Sequence, residues 1–347
     1  METPHWKHHI IFNKKEKETA DGNKIPRIYV DGCYDMFHWG HANVIRQACA
    51  SFNFNCCLVL GIVDNPIIEK HKGPTVMTED ERNEAVYSCQ WVDEVVDGIP
   101  FWNTELFMMK ELEIDYVIHG DDISLNTQTG KNSYQDIIDA GMMKIVPRTD
   151  GVSTTDLIYR MMNPSSVEHF GGFKHCNLSI DKILLFSQQK RPVHSISSEE
   201  KIVYIDGSFD LLHEGHYKLF KKAKELGSYL IVGVYDDQTV NEYKGLNYPI
   251  LNIGERVLGL LGCRFVDNVI IGAPKGITKE MIEKLHINYV VHGKCDNGVG
   301  MDVYKDAVDA GIFVEIDSGS TLTAEDIKQR VVNQQQQFEI RNSKKVR

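Results

Sequence analysis

Short apolar runs alternate with amphipathic stretches through most of the chain. In the first half, five runs rich in Val, Ile and Leu are predicted strands: RIYVDG (27–32), CCLVLGIV (56–63), VDEVV (92–96), DYVIHG (115–120) and MKIVP (143–147). Three intervening stretches have helical spacing: HANVIRQACASF (41–52), MTEDERNEAVYSC (77–89) and NSYQDIIDAG (132–141). Buried strands alternating with helices are typical of an α/β fold with a mostly parallel sheet and helices on both faces. Ligands of such folds bind at the carboxyl ends of the strands.

This series of segments occurs twice, in the same order. The repeat pairs YVDGCYDMFHWGH (29–41) with YIDGSFDLLHEGH (204–216), and LEIDYVIHG (112–120) with LHINYVVHG (285–293). The repeat predicts two tandem Rossmann-like domains, at 25–162 and 200–331. The other segments are predicted to be a flexible N-terminal tail (1–24), a linker (163–199) and a C-terminal tail (332–347).

Composition narrows the function classes. The 347 residues include 49 acidic and 38 basic ones, a net charge of −11, whereas nucleic-acid and anionic-membrane surfaces need clustered Lys and Arg. The longest apolar run is far shorter than the roughly 20 residues of a membrane span. The eight cysteines include no C-x-x-C pair and are expected to be mostly buried free thiols. We therefore expect a cytoplasmic protein with no nucleic-acid partner and no stable membrane insertion. A homodimer is compatible with the sequence.

The segment DGCYDMFHWGH (31–41) joins a predicted strand to a predicted helix. Gly32 allows a tight turn that offers backbone N–H groups to an anion, and Gly40 lets a phosphate approach the backbone closely. His38 and His41 lie at the first helical turn, where free N–H groups and the helix dipole favour phosphate. The negative charge of that phosphate is expected to keep both imidazoles protonated as hydrogen-bond donors.

The histidine pair has two other interpretations, a metal site and a purely structural role. H-x-x-H spacing occurs in zinc sites, but no Cys, Glu or third His follows at ligand spacing, so no metal site is predicted. A purely structural pair is the other alternative. The recurrence of the pair as His213 and His216, again after D-G-x-x-D, favours a functional role.

The H-x-G-H motif resembles the signature of the nucleotidyltransferase superfamily. The stretch RTDGVSTTDLIYR (148–160) is more specific and resembles the signature of cytidylyltransferases acting on phosphocholine, phosphoethanolamine and glycerol 3-phosphate. HKGPTVMTEDER (71–82) and WVDEVV (91–96) match as well. The tandem duplication favours the phosphoethanolamine branch. The resemblance implies transfer of CMP from CTP to phosphoethanolamine, giving CDP-ethanolamine and pyrophosphate for phosphatidylethanolamine synthesis, with Mg²⁺ accompanying CTP.

Cytidylyl transfer needs alignment and charge neutralisation rather than a strong base, because the attacking phosphate is already anionic. Catalysis is assigned to His38, His41, Lys72 and Arg148. Lys72, expected on a loop, would bridge the α-phosphate and the incoming phosphate, and Arg148 would grip the β- and γ-phosphates or the acceptor phosphate. The residues expected to bind CTP are Gly32, Cys33, Tyr34, Gly40, Asp122, Thr149, Gly151, Ser153 and Thr154. Ser153, three residues before Asp156, also has the spacing of a helix cap.

The acceptor pocket is predicted less directly. An ammonium group favours carboxylates and aromatic faces, and Asp35, Trp102 and Tyr134 lie near the expected crevice, with ordinary packing as the alternative for each. Arg82 is a further candidate for substrate binding, with an exposed helical ion pair as its alternative. The phosphocholine enzymes that this chain resembles carry an extra aromatic residue after the D-D pair, whereas this chain has DDISLNTQTG (121–130). This difference favours a primary ammonium.

The second copy is predicted to have lost catalysis. Aligning the two copies places Ser318 opposite Arg148, and Glu325 opposite Thr155. A second nucleotide site is nevertheless compatible with six residues: Ser208, Phe209, His213, His216, Lys244 and His292. Two other functions stay open: a cytidylyltransferase for another phosphomonoester, and a CTP-sensing protein without turnover.

Overall fold

The computed structural model describes residues 6–10, 24–100, 106–121, 130, 132–163, 177–188, 200–294 and 300–343. These residues form two compact units. One comprises Met1–Asp150 together with Gln336–Arg347, and the other comprises Gly151–Gln335.

The first unit is built on a six-stranded sheet. Its strands are β1 (Lys7–Ile10), β2 (Arg27–Gly32), β3 (Cys57–Val63), β4 (Glu94–Ile99), β5 (Tyr116–Gly120) and β6 (Met143–Val146). Their order is β1-β4-β3-β2-β5-β6, and all neighbours are parallel except β1 and β4. The five strands predicted from apolar runs are confirmed. All seven residues of β3 are buried, as expected for a central strand covered on both faces.

Helices cover this sheet: α1 (Trp39–Ala50), α2 (Asn65–Lys72), α3 (Glu79–Tyr87), α4 (Leu106–Glu111) and α5 (Gln135–Asp139). The helical predictions for α1, α3 and α5 are confirmed. Thr78 caps α3 in a capping box with Glu81, and acidic side chains fill the first turn.

The sheet order places a crevice beside β2. From β2 the chain builds β3 and β4 on one side, and then returns to build β5 and β6 on the other. The loops after β2 and β5 therefore diverge at a topological switch point, which is where open α/β sheets bind ligands. The D-G-x-x-D and H-x-G-H segments follow β2 directly.

The second unit repeats this plan with five parallel strands. They are β7 (Ile202–Gly207), β8 (Tyr229–Val234), β9 (Asn268–Ile271), β10 (Ile287–Gly293) and β11 (Phe313–Ile316), in the order β11-β10-β7-β8-β9. Its helices are α6 (Thr154–Met162), α7 (Ile180–Phe186), α8 (Glu214–Leu226), α9 (Asp237–Lys244), α10 (Ile253–Leu261), α11 (Lys279–Lys284), α12 (Lys305–Asp309) and α13 (Ala324–Asn333). The tandem α/β fold is thus confirmed.

Two predicted boundaries differ from the structure. Residues 7–10 form the edge strand β1 rather than part of a flexible tail, and His8 contacts Glu94 of β4 at 2.6 Å. The compact units divide after Asp150 rather than after residue 162. The reason is that α6 packs on α13, and Arg160 of α6 makes a two-pronged ion pair with Glu255 at 2.8 and 3.0 Å.

The predicted C-terminal tail is helical through α14 (Gln335–Ser343). Phe338 of this helix is buried. A buried aromatic side chain gives the helix an apolar anchor, so this segment is more ordered than its polar composition suggests.

Candidate active site

The two histidines form the N-terminal cap of α1. His38 is the N-cap residue, and its Nδ1 atom accepts a hydrogen bond from the Gly40 N–H at 3.1 Å. The His38 N–H in turn donates to Nδ1 of His41 at 3.4 Å, and the ring centroids stack 3.9 Å apart. Because both Nδ1 atoms accept, the proton of each neutral ring lies on Nε2. Both imidazoles can therefore donate to an anion without being protonated, so the predicted imidazolium state is not required.

The loop before the cap has a constrained backbone. Tyr34 and Met36 have φ of 51° and 50°, a left-handed conformation that costs about 1–3 kcal/mol for such residues. The turn thus lies at Tyr34 and Met36, and Gly32 is still part of β2. A Cβ on Gly32 would lie 3.1 Å from the Tyr34 ring, so glycine there gives space to that ring, which meets His41 edge-on at 5.5 Å.

Lys72 reaches the same loop from α2. It is the last residue of that helix rather than a loop residue, and Gly73 ends the helix with φ of 92°. The exposed Lys72 Nζ lies 3.5 Å from the Sγ of Cys33. The helix therefore presents this ammonium group beside the D-G-x-x-D loop.

Arg148 and Thr149 follow β6. The Arg148 N–H donates to Asp121 at the end of β5, at 3.1 Å. The Thr149 hydroxyl accepts from the Asn43 side chain of α1 at 2.9 Å and lies 3.4 Å from the Gly40 carbonyl. These contacts bring the ends of β5 and β6 to the first turn of α1. The sequence analysis did not include Asn43 or Asp121 in the predicted site. Their positions, just after the H-x-G-H motif and just after β5, could have identified them.

The electrostatics of His41 connect these groups. Burial, together with the smaller effects of the positive charges of Lys72 and Arg148, lowers its pKa to about 3. Both predicted cations therefore act on the His41 ring within the first unit. The ring is neutral at physiological pH in the free protein.

Three predicted CTP ligands belong to the second unit. Gly151 has a left-handed φ of 90°. Ser153 is the N-cap of α6 and accepts from the Asp156 N–H at 3.1 Å, which confirms its predicted capping role. Thr154 is the first residue of that helix.

Asp35 and Arg82 make contacts within the scaffold. The buried Asp35 carboxylate accepts the N–H groups of Val76 and Met77 at 3.0–3.1 Å. Arg82 is 1% exposed and donates to the Cys33 carbonyl at 2.7 Å. Both side chains therefore stabilise the loop after β2, and their predicted substrate contacts stay predictions.

Tyr134 is also enclosed. Its hydroxyl donates to Asp31 at the end of β2 at 2.6 Å, and its ring packs on His119. Burial, with the nearby Asp31 charge, raises the pKa of Tyr134 well above its usual value. The predicted ligands Asp122 and Trp102 lie outside the described residues.

The second copy reproduces the cap. The Gly215 N–H donates to Nδ1 of His213 at 3.2 Å, and the His213 N–H donates to Nδ1 of His216 at 3.3 Å. A Cβ on Gly215 would lie 3.0 Å from the His213 ring. The glycine of H-x-G-H is therefore explained by the space that the capping imidazole needs. Ser208, Phe209, His213, His216 and Lys244 all line one cavity. His292 lies outside that lining and packs on Tyr304 and Phe313.

Some features bear on other classes of site. Among the described residues, no three His, Cys, Asp or Glu side chains cluster in a way that could hold a metal ion. Within the same part of the chain, no helix combines the length and apolarity needed to cross a bilayer. The described cysteines are free thiols, and all except Cys33 are buried.

The sequence profile of the cytidylyltransferase-like family matches residues 29–168 and again residues 204–309. The chain belongs to the cytidylyltransferase-like family. An ethanolamine-phosphate cytidylyltransferase of Dictyostelium discoideum is 42% identical over 94% of this chain and 96% of that relative. The Mus musculus protein of the same name is 36% identical over 93% of this chain and 89% of its own length.

Choline-phosphate cytidylyltransferase A of Mus musculus is 41% identical, but the match covers 41% of this chain and 38% of that protein. The full-length relatives thus share the tandem organisation, whereas the choline relative matches only part of the chain. The family resemblance seen in the sequence is confirmed, and with it the expectation of a nucleotidyltransferase enzyme.

Proposed function

We propose that this chain transfers CMP from CTP to phosphoethanolamine, giving CDP-ethanolamine and pyrophosphate, and that the first copy carries the reaction. A phosphate oxygen of the acceptor forms the new bond to the α-phosphorus of CTP, and the bond to the β-phosphate oxygen breaks. The electron pair leaves with pyrophosphate. The acceptor phosphate is anionic at neutral pH, so the protein has to align the two phosphates and offset their charge.

The geometry of the first unit suits that task. The Nδ1 atoms of His38 and His41 accept backbone N–H groups, so the ring donors that would face phosphate oxygens are their Nε2–H groups. The charges of Lys72 and Arg148 both act on His41, and a polyphosphate would neutralise this excess of positive charge. That electrostatic convergence at the helix cap, in a chain of this family, is the observation that carries the proposal.

Mg²⁺ is proposed to arrive with CTP as part of the substrate. The ion favours phosphate oxygens and water, and needs only one or two protein carboxylates. Asp121, which accepts the Arg148 N–H, is one carboxylate at this site that would be available to the ion.

The acceptor is tested by pyrophosphate release from CTP with phosphoethanolamine, phosphocholine or glycerol 3-phosphate. We expect phosphoethanolamine to give the highest kcat/KM. Arg148→Ser, which installs the residue of the second copy, should lower kcat/KM by about a hundredfold or more. A higher kcat/KM with another acceptor would replace phosphoethanolamine in the proposal. If CTP binds but no acceptor leads to pyrophosphate release, the CTP-sensing function would be favoured.

A further inference from the structure

The second copy has a half-open cavity of about 370 Å³ at the carboxyl ends of its strands. The cavity lies between the N-terminal ends of α8 and α13, with Lys244 at the end of α9. Its volume is at the lower end of the range for small-molecule sites, about 300–1,000 Å³. The second copy therefore keeps a cavity of ligand size although its catalysis was predicted to be lost.

One side of this cavity keeps the groups that bind phosphate. His213 and His216 have the same cap as the first copy, with both Nδ1 atoms accepting backbone N–H groups and with ring centroids 3.9 Å apart. Their Nε2–H groups are therefore donors. Lys244 Nζ lies 3.2 Å from the Ser208 hydroxyl in the cavity lining. Two imidazoles and one ammonium can satisfy a single phosphate group.

The other side of the cavity carries a carboxylate and lacks the arginine of the first copy, so it is unfavourable for the β- and γ-phosphates of a nucleotide. The N-caps of α6 and α13, Ser153 and Thr323, are equivalent, so Glu325 stands where the first copy has Thr155. The Glu325 carboxylate lines the cavity and accepts a hydrogen bond from Tyr248. The guanidinium of Arg148 is replaced by the Ser318 hydroxyl. Glu325 is exposed at the edge of this half-open cavity, and its like charge opposes a β- or γ-phosphate that extends toward it.

We propose that the second copy is a binding site for a phosphomonoester, whose single phosphate lies on His213, His216 and Lys244, and that Glu325 excludes nucleoside triphosphates. Nucleoside monophosphates and small alkyl phosphates share this group, and the cavity admits either. The site binds and does not turn over its ligand, since it lacks the guanidinium and the paired hydroxyls of the first copy. This role is independent of the reaction proposed for the first copy.

The test is calorimetric binding of CMP, phosphoethanolamine and CTP to the full chain carrying His38→Ala, which weakens the first site. We expect CMP, phosphoethanolamine or both to bind, and Lys244→Ala to weaken that binding at least about tenfold. The matched control is Lys284→Ala, an exposed lysine of α11, which should bind as the parent does. Absence of monoester binding, or equal binding in the Lys244→Ala chain, would overturn the proposal.

The exclusion of triphosphates has its own test. Glu325→Thr, which installs the first-copy residue, should raise CTP affinity at least about tenfold and leave monoester affinity nearly unchanged. Glu280→Thr on exposed α11 is the control, and thermal melting checks that the loss of the Tyr248 contact leaves the chain folded. If the chain with Glu325 intact binds CTP as tightly as it binds the monoester, the proposed exclusion of triphosphates is wrong. Both experiments measure binding to the second copy and need no turnover. Their results would therefore hold even if the reaction proposed for the first copy were wrong.

Discussion

The imidazole of His38 caps the helix that begins beside it, through a 3.1 Å hydrogen bond from the Gly40 N–H to Nδ1. In the proposed reaction the Nε2–H group of the same ring would donate to a phosphate. The structural role and the proposed chemical role therefore belong to two different nitrogens of one side chain, and a substitution can separate them.

His38→Asn should keep the cap and lose the donor, because Asn is among the best N-cap residues. We expect kcat to fall about a hundredfold or more, with little change in Tm. His38→Ala should lose both, with the same loss of kcat and about 1 kcal/mol less stability. Steady-state kinetics and thermal melting distinguish the two. Substantial turnover by His38→Asn would contradict the catalytic assignment, and His213→Asn in the second copy should cost turnover much less.

Lys72 is expected to act through its charge. Lys72→Ala should lower kcat/KM by about a hundredfold, because a fixed positive charge is lost between the α-phosphate and the acceptor phosphate. Lys70, two residues earlier in α2 and exposed, provides the matched control, and Lys70→Ala should retain the parent kcat/KM. Equal losses in both variants would mean that general helix charge, and not a specific contact, is responsible.

The low pKa of His41 predicts a pH-dependent affinity. In the free chain this pKa is about 3, below the usual 6.5, and the charge of bound CTP must raise it. To the extent that bound CTP raises it, His41 takes up a proton, and affinity increases as the pH falls from the bound-state pKa toward about 3, with no effect above the bound-state pKa. Calorimetry in buffers of different ionisation enthalpy measures the net proton change. CTP itself releases protons, because a cationic site favours the fully ionised triphosphate. His41→Asn should therefore shift the net change toward release, and an identical net change would refute this linkage.

The ion pair between Arg160 and Glu255 should be important for stability. The two side chains are 2% and 0% exposed, so Arg160→Ala leaves a buried carboxylate unpaired and should reduce the free energy of unfolding by about 3–5 kcal/mol. Adding Glu255→Gln removes that charge and keeps an acceptor for the Asn252 N–H, so the double variant should recover part of the loss. Chemical denaturation measures both. A single variant as stable as the parent would contradict this account.

Elements with a clear hydrophobic period were predictable. The buried run of β3 and the capped start of α3 carry their own local signals, and the repeat of H-x-G-H identified the histidine pair. α2 was missed because it is short, with one buried residue, Ile68, to mark its face. β1 was missed because it depends on pairing with a strand more than 80 residues away.

The scaffold roles of Asp35 and Arg82 were missed for another reason. The sequence gives the residue type, and the direction of a buried carboxylate or guanidinium depends on tertiary packing. The repeat nevertheless contained a signal: Asp210, equivalent to Asp35, accepts the N–H groups of Ile250 and Leu251. The same backbone contacts in both copies indicate that this carboxylate has a structural role in the fold.

The helix α6 continues from the R-T-D-G-V-S-T-T signature of the first repeat, yet its buried arginine is neutralised by a glutamate of the second. A chain cut after the first repeat would keep the signature and expose that arginine, along with the face that α13 now covers. The second repeat therefore supplies both the packing surface and the counter-charge for a helix that continues from the signature of the first. Its presence has a structural consequence that needs neither a ligand nor turnover.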